Sequence, residues 1–154
     1  MTVAYPDIWA PESVAQLCAR IESIDSSNAP LWGKMNAAQM MAHCCIPYEQ
    51  ALGINTKKPP LIMRALLRLF FKQTLTNEVP YKKNLATAPE FIMPPDSVFV
   101  DNQQRLMQRI HELAALGRNA FEGREQITLG ALSSREWNNL LYKHIDHHLR
   151  QFGA

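Results

Sequence analysis

The stretch that decides the fold is residues 133–153, SSREWNNLLYKHIDHHLRQFG. Ser133 and Glu136 have the spacing of a helix capping box, and Gly153 is a typical helix stop. The pattern therefore predicts a final helix from Ser134 to Phe152. At about 100° per residue, one arc of this helix collects apolar side chains and two histidines. The members of this arc are Trp137, Leu141, His144, Ile145, His148, Leu149 and Phe152.

We expect this arc to face the core, which places two imidazoles inside the protein, one turn apart. His147 falls at the border of the arc, together with Lys143 and Arg150. Asp146 falls on the far side, where it is expected to pair with Arg150 at the surface. The pattern of the final helix therefore predicts that His144 and His148 point inward and that His147 lies at the boundary.

Helical spacing also marks two segments in the first third of the chain. The first helix is predicted over 11–24. The second begins near Asn36, which forms a capping box with the glutamine three residues later, and it carries His43. Pro47 removes the backbone donor that would bind the carbonyl of His43, so a kink or a helix end is expected after that histidine. Gly53 is expected to mark the end of the second helix.

Two more helices and two long connections fill the middle of the chain. Helix three follows the linker at 57–60, and helix four runs from Ser97 to Leu116 and stops at Gly117. Prolines interrupt the periodicity from Thr76 to Pro95, so this connection is expected to be irregular. We expect it to wrap over the body of the protein or over the mouth of a pocket. A second loop spans Arg118 to Leu132. Five helices without a convincing strand predict an all-α fold, and the long connection between helices three and four suits an up-down bundle with one irregular crossover.

The composition fits one globular domain over residues 1–154, with 47% hydrophobic and 19% charged residues. The chain carries 16 Lys and Arg against 14 Asp and Glu, which is too weak a positive charge for a dedicated nucleic-acid-binding protein. Its three cysteines are odd in number and lack Cys-x-x-Cys spacing, so no disulfide framework is expected. A reducing cytoplasm fits this pattern.

The sequence does not predict export or membrane insertion. Residues 1–7 lack the basic and apolar regions of a secretory signal. The longest apolar run, residues 61–71, is broken by Arg64 and Arg68 and is far shorter than the ~20 residues of a membrane span. We therefore expect a cytoplasmic protein.

Positive charge is concentrated in residues 57–83, which contain seven Lys and Arg and one acid, Glu78. Arg64, Arg68 and Lys72 share a side of helix three, and a solvated helix face is the favoured interpretation. Two alternatives stay open. The segment could receive an anionic ligand, or helix three could dock on a membrane surface or a partner.

Three histidines could form a metal site. His144 and His148 have the i, i+4 spacing that lets two imidazoles bind one ion, and neutral ring nitrogens are common ligands of zinc-like metals. His43 is the candidate third ligand because it lies at the edge of an apolar stripe on helix two. Such a set leaves a coordination position open, as in catalytic sites. The alternative is structural, since inward histidines are often hydrogen-bonded core residues and the helix dipole favours them near a C-terminus.

Other polar residues give weaker signals. Cys44 and Cys45 diverge from the adjacent histidine by about 100° per residue, so buried structural cysteines are expected. Gln39 and Gln50 lie on the side of the helix that carries the histidine and are candidate partners that orient the ligands. His111 falls on the boundary or solvent side of helix four and is assigned no role.

Two blocks of the sequence resemble the DinB/YfiT-like superfamily. The blocks are Trp32-Gly33-Lys34-Met35 with Gln39-Met40 and His43, and Glu136-Trp137 with the segment from Tyr142 to Gly153. The resemblance covers most of the chain and is weakest over 56–97. It implies an up-down four-helix bundle, here with an additional short helix and long irregular connections. Such a bundle holds a divalent metal ion, zinc or nickel. The implied ligands are one histidine of the second helix and a pair from the last: His43, His144 and His148.

Superfamily relatives include thiol-dependent transferases and isomerases that use anionic low-molecular-weight thiols, and many are dimers. The resemblance therefore implies a homodimer as one assembly of this chain. One departure is visible, because the pattern His-Pro-x-Phe-Gly before the last helix is replaced by residues 126–130, Gln-Ile-Thr-Leu-Gly. No role of that histidine carries over.

Two functional hypotheses follow. The first is a metal-dependent enzyme of hydrolase or thiol-transferase type that acts on a small molecule, because a bound ion lowers the pKa of water or a thiol. The second is a non-catalytic module of the same fold that binds a small anionic or apolar ligand. No acidic residue stands out as a general base on the inner arc of the final helix. The catalytic residues are therefore not predicted.

Overall fold

A computed structural model describes residues 4–154. Met1 to Val3, the start of the segment in which no secretory signal was expected, lie outside the described residues. The described part is mostly helical, with two 3₁₀ turns and a short two-stranded sheet. Its elements are α1 (Pro11–Glu22), α2 (Ala37–Leu52), α3 (Leu61–Thr76), a 3₁₀ turn (Pro89–Phe91), α4 (Phe99–Leu116), a 3₁₀ turn (Arg118–Phe121), β1 (Arg124–Gln126), β2 (Gly130–Leu132) and α5 (Ser134–Gln151).

Local sequence signals locate the helix starts correctly. The side chain of Asn36 accepts from the backbone N–H of Gln39 at 2.8 Å. In return, the side-chain oxygen of Gln39 accepts from the backbone N–H of Asn36 at 3.0 Å. Ser133 and Glu136 form the same reciprocal pair at the start of α5. These boxes satisfy backbone donors that have no partner within the helix. Both helix starts are therefore confirmed.

Of the two alternatives predicted after His43, a kink or a helix end, the helix end is wrong, because α2 continues through Pro47 to Leu52. Pro47 and its neighbours are buried, so packing along the whole length of the helix offsets the missing hydrogen bond. Gly53 then ends the helix in the left-handed region with φ 75°. The exit predicted at this glycine is confirmed.

The loop predicted over residues 118–132 contains an antiparallel hairpin. Arg124 pairs with Leu132 and Gln126 with Gly130. Inside the turn, the side-chain carbonyl of Gln126 accepts from the backbone N–H groups of Thr128 and Leu129, each at 2.7 Å. The expectation of an all-α fold without strands is therefore corrected to a mostly helical fold. Strands of three residues are too short to show an alternating pattern.

The core lies between α1, α2, α4 and α5. Helix α2 packs most extensively on α4, which also contacts α1, while α5 contacts α2 and α3. A buried carboxylate, Glu49 of α2, receives two hydrogen bonds of 2.6 Å from Arg105 of α4 and a longer one from Arg109. The fully buried apolar side chains include Met40, Tyr48, Leu106, Ile110, Leu113, Trp137 and Leu141.

Helix α3 differs from the expectation of a simply solvated basic face. Arg68 donates to the carbonyl of Leu129 at 3.1 Å, and Lys72 donates to the carbonyl of Ala131 at 3.4 Å. A Cβ at Gly130, which has φ +80°, would collide with the Arg68 guanidinium. The basic side of α3 thus rests on the β1–β2 hairpin, because hairpin carbonyls accept from its cations.

The C-terminal end of α3 is anchored by a buried lysine. Lys143 of α5 was expected at a boundary, but it is 1% exposed. Its ammonium donates to the carbonyls of Thr74, Asn77 and Val79 and to the side chain of Asn77, at 2.7–3.2 Å. These oxygens belong to the last turn of α3 and the residues after it. The lysine therefore ties that end of α3 to α5.

Among residues 4–154, no helix combines the length and the apolar character needed to cross a bilayer.

Candidate metal centre

The structure brings three histidines from two helices together. His43 comes from α2, and His144 and His148 come from successive turns of α5. Their potential ligand nitrogens all lie within 4.8 Å of one another. The two α5 rings are therefore neighbours, as the i, i+4 spacing requires, and α2 supplies the third ring opposite them.

A backbone carbonyl orients His43. Its Nδ1–H donates to the carbonyl oxygen of Phe91 at 2.9 Å, and the residue is 5% exposed. This bond leaves Nε2 as the nitrogen with a free lone pair. His43 Nε2 lies 3.0 Å from His144 Nε2, so the free nitrogen points into the cluster.

A glutamine of the same helix orients His148. The Nδ1–H of His148 donates to Gln151 Oε1 at 2.8 Å, and Gln151 Nε2 donates to the carbonyl of Trp32 at 2.7 Å. The second bond fixes which end of the amide faces the imidazole. Gly33 has φ +82°, and a Cβ there would lie 2.6 Å from Gln151 Nε2. The Trp32-Gly33 pair thus makes room for the amide that orients His148.

Sequence reasoning missed this role of Gln151 and placed it on two other glutamines. Gln39 donates to the carbonyl of Met93 and closes its capping box, while Gln50 accepts from Gln126. Neither contact involves an imidazole of the cluster. The signal for Gln151 was present in its position three residues after His148, on the neighbouring part of the same helical face.

His144 is the ring with an open hydrogen-bonding position. Its Nδ1 is buried and has no hydrogen-bond partner, while the residue as a whole is only half-buried. Whichever tautomer is present, one nitrogen of this ring is aimed at the cluster and the other is unpaired. The polar contacts of the His144 ring therefore come from the cluster alone, as expected of a residue that binds a ligand there.

Burial keeps the three imidazoles in the form that binds metals. Desolvation lowers the pKa of His43, and it lowers that of His148 to about 3. The pKa of His144 falls well below its ordinary value, first because of burial and then because His148 and His43 would repel its charged form. Neutral imidazoles have a lone pair to donate, and each additional proton in this cluster is unfavourable.

One pair of ring nitrogens has nearly the separation that two ligands of one ion require. Two nitrogens bound tetrahedrally to one zinc at 2.0–2.1 Å lie roughly 3.4 Å apart, close to the 3.0 Å between the Nε2 atoms of His43 and His144. A proton on His144 Nε2 would also join these two atoms by a hydrogen bond. That bond would leave His148 Nε2 outside the pair and would not explain why three rings converge.

The remaining histidine of α5 and its neighbours lie outside the group of three. The ring of His147 packs edge-on between Trp32 and Tyr81. Asp146 was expected at the surface, but it is 8% exposed, because Arg20 of α1 pairs with it at 2.9 Å together with Arg150. The periodicity of α5 could not predict this burial, because it depends on Arg20, a residue of another helix.

The cysteines and the histidine of α4 do not join the cluster. Cys44 and Cys45 are buried, and burial raises the pKa of both thiols. Both are therefore poor thiolates at neutral pH. His111 is exposed, and its Nε2 lies 3.6 Å from Cys18 Sγ.

The long connection between α3 and α4 contributes to the site. The carbonyl of Phe91 holds His43, the carbonyl of Met93 accepts from Gln39, and the ring of Tyr81 packs on His147. The expectation that this irregular segment wraps over the body is consistent with these contacts. The segment supplies the backbone oxygen that selects the tautomer of one candidate ligand.

The fold and the site define a mostly helical protein with a buried group of three histidines. Residues 11–154 match the family described as "Protein of unknown function (DUF1569)", and the chain belongs to this family. No curated protein and no solved structure matches the chain.

Proposed function

We propose that this protein is a metal-dependent protein that holds one divalent transition-metal ion through His43, His144 and His148. The observation that carries the proposal is the convergence of three neutral imidazoles within 4.8 Å. The carbonyl of Phe91 and the side chain of Gln151 accept hydrogen bonds from the Nδ1–H groups of His43 and His148. Partners of this kind orient metal-binding histidines and increase their basicity.

The donor set suits a divalent transition metal, since imidazole binds zinc, copper, iron and nickel. The resemblance to the DinB/YfiT-like superfamily is what favours zinc or nickel. When bound in such a site, a divalent ion acts as a Lewis acid and lowers the pKa of water or a thiol. The protein's own residues supply the rest. The carbonyl of Phe91 and the side chain of Gln151 hold two of the rings in one tautomer, and burial of His43 and His148 excludes most of the surrounding water.

The reaction we favour is a hydrolysis or a thiol-dependent transfer on a small molecule. Three protein ligands leave a coordination position for a reactant, which is the arrangement of catalytic rather than structural sites. The nearby carboxylate, Asp146, is paired with Arg20 and Arg150. It is therefore unsuited to act as a general base. Water or a thiol activated in the site would have to react without a proton transfer to Asp146.

Metal analysis of the purified, untagged chain tests the site. We expect about one zinc or nickel ion per chain by elemental mass spectrometry. His144→Ala and His148→Ala should lose it. His111→Ala is the matched control, because His111 is exposed and distant in the fold, and it should retain the metal. Equal metal content in all three variants would overturn the proposal.

A second candidate function is non-catalytic binding of a small anion. A cavity of about 130 Å³ lies beside His147, between aromatic rings and cations that include Trp32, Tyr81, Lys83 and Arg150. Turnover distinguishes the two functions. An enzyme should convert simple esters, amides or thiol adducts, lose this activity to a chelator and regain it with metal. A binding module should show saturable binding and no metal-dependent turnover.

We also infer that α1, α2, α4 and α5 form the up-down bundle of the DinB/YfiT-like superfamily. The packing of α2 on α4, α1 on α4 and α2 on α5 supports this arrangement. Under this proposal, α3 is the additional helix and lies outside the bundle. An experimental structure with the four helices in a different packing order would contradict it.

A further inference from the structure

The nitrogens of the three-histidine cluster are enclosed by the protein. His43 and His148 are 5% and 9% exposed, and Nδ1 of His144 is buried. The ring of His43 also packs edge-on against the ring of Phe91, so the connection between α3 and α4 borders the cluster together with α2 and α5. An ion or a small molecule reaches enclosed nitrogens of this kind when part of the covering structure moves.

The parts that cover the cluster are held with very different firmness. Helices α2 and α5 bury most of their residues. The strap, which we define as residues 82–93, has no buried residue and forms only the 3₁₀ turn Pro89–Phe91. Its Lys83 is exposed and lies over the ring of Trp32, where such a contact contributes little. Segments with few buried contacts open at low free energy, so the strap is the part that moves most easily.

Two hydrogen bonds join the strap to the helices in the described part of the chain. The carbonyl of Phe91 accepts from Nδ1–H of His43 at 2.9 Å. The carbonyl of Met93 accepts from Nε2–H of Gln39 at 2.9 Å. Gln39 and His43 lie four residues apart on α2 and therefore share one side of that helix. The strap is thus attached to the helices beside the cluster.

The residues at both ends of the strap restrict its movement to the segment between them. Tyr81, which precedes it, packs on the ring of His147 and lies beneath the ammonium of Lys143 at 4.7 Å. Pro94 and Pro95 follow the strap, and their rings fix the backbone φ angle. A segment with fixed ends and two hydrogen bonds between them can open without disturbing the packing of the helices.

We propose that the strap is a lid over His43, His144 and His148. The closed position is held by the hydrogen bonds to Phe91 and Met93, and the cluster becomes accessible when these bonds break. The purpose of the lid rests on the proposed function, since it would admit the metal ion and the reactant of that site. The movement itself requires no bound metal, so it is tested separately.

The side chain of Gln39 allows a selective change in the lid. Its Oε1 accepts from Asn36 in the capping box, while its Nε2 donates to Met93. Gln39→Glu keeps the acceptor and removes the donor, so it preserves the start of α2 and weakens the attachment of the strap. Gln50→Glu is the matched control. It makes the same change on the same helix and keeps the oxygen that accepts from Gln126.

Acylation of histidines in the metal-free chain tests the lid directly. Diethyl pyrocarbonate acylates neutral imidazoles, and peptide mass spectrometry gives the initial rate at each one. The three cluster histidines should react much more slowly than the exposed His111. Gln39→Glu should raise their rates about fivefold, the effect of one neutral hydrogen bond on the opening equilibrium. The rate at His111 should not change, and Gln50→Glu should react like the wild-type chain.

A second pair of variants tests the strap from its own side and does not depend on how Gln39→Glu folds. Phe91→Ala removes the ring that packs on His43 and should also speed acylation of the cluster. Ile92→Ala, at a neighbouring residue that is 65% exposed, should not. Thermal unfolding followed by circular dichroism establishes that each variant is folded, so that faster acylation reports local opening.

Release of zinc from the loaded chain distinguishes the lid from a simple effect of charge. An added carboxylate by itself attracts the cation and slows its release, whereas easier opening of the strap speeds release. We expect capture of zinc by a chelator to be faster from Gln39→Glu than from the wild-type chain. A wild-type chain that binds no zinc removes the metal site, and acylation alone then decides the lid.

Three results overturn the lid. The first is unchanged acylation of the cluster in both Gln39→Glu and Phe91→Ala. The second is an equal increase in the controls Gln50→Glu and Ile92→Ala. The third is zinc release from Gln39→Glu that is no faster than from the wild-type chain.

Discussion

Helices α5 and α3 have similar lengths and both combine apolar residues with cations, yet they turn opposite sides to the protein. The apolar arc of α5, with Trp137 and Ile145, is buried. The apolar arc of α3, with Ile62 and Phe70, is exposed. Periodicity identifies the arc in both cases, but it does not say which surface the arc meets. That surface is the core for α5 and solvent for α3.

The largest effect is expected in the buried arc. Trp137 is 1% exposed and packs against Phe121. Trp137→Ala should lower the free energy of unfolding by about 3–5 kcal/mol, because it leaves a large cavity in a close-packed core. Urea unfolding followed by circular dichroism measures this change. A loss below about 1 kcal/mol would mean that α5 is less firmly packed than the contacts indicate.

The next largest effect is expected at Lys143, which ties the end of α3 to α5. Lys143→Met removes the buried ammonium that binds the carbonyl oxygens of Thr74, Asn77 and Val79. We expect a loss of about 2 kcal/mol, together with faster amide exchange at the C-terminal end of α3. Lys72→Met is the control, since its partly exposed pair with Glu136 should contribute under about 1 kcal/mol. Unchanged exchange in α3 would show that α3 is anchored elsewhere.

A change at Gln151 should separate orientation from ligation in α5. Gln151→Leu removes the acceptor of His148 Nδ1 while it keeps all three imidazoles. Zinc affinity should fall about 10–100-fold, as for other partners of metal-binding histidines. Competition with a chromogenic chelator measures the affinity. Gln39→Leu, which alters contacts away from the rings, should have a much smaller effect, and equal losses in both variants would argue against a specific role of Gln151.

The smallest effect is expected on the exposed arc. Phe70→Ala should change the free energy of unfolding by less than about 0.5 kcal/mol, because the ring is 65% exposed. The same unfolding measurement as for Trp137→Ala gives a direct contrast. A loss of several kcal/mol would show that the ring packs on the rest of the protein more firmly than its exposure indicates.

Prediction from the sequence was best where the interaction is local. The capping pairs Asn36–Gln39 and Ser133–Glu136 join residues three positions apart, so their pattern is readable in the chain. The inward position of His144 and His148 also follows from spacing within one helix. The hairpin at 124–132 was missed because its strands are too short to show a period. The helix end considered after His43 does not occur, because packing outweighs the effect of Pro47.

The orienting partners of the site were beyond sequence reasoning. The carbonyl of Phe91 and the carbonyl of Trp32 lie far from His43 and Gln151 along the chain. Backbone oxygens are the same in every residue, so no residue type marks which one will hold a ring. Gly33 became understandable once the position of Gln151 was known, because its missing side chain leaves room for that amide.

The sequence by itself determined the helices, their caps and the three imidazoles suited to bind a metal, since each depends on side-chain type and short-range spacing. Only the tertiary structure decided that His43 meets the α5 pair, that Lys143 and Asp146 are buried, and that α3 turns its apolar side outward. Those outcomes depend on which elements pack together, and packing is decided by the summed contacts of the whole chain rather than by any one segment.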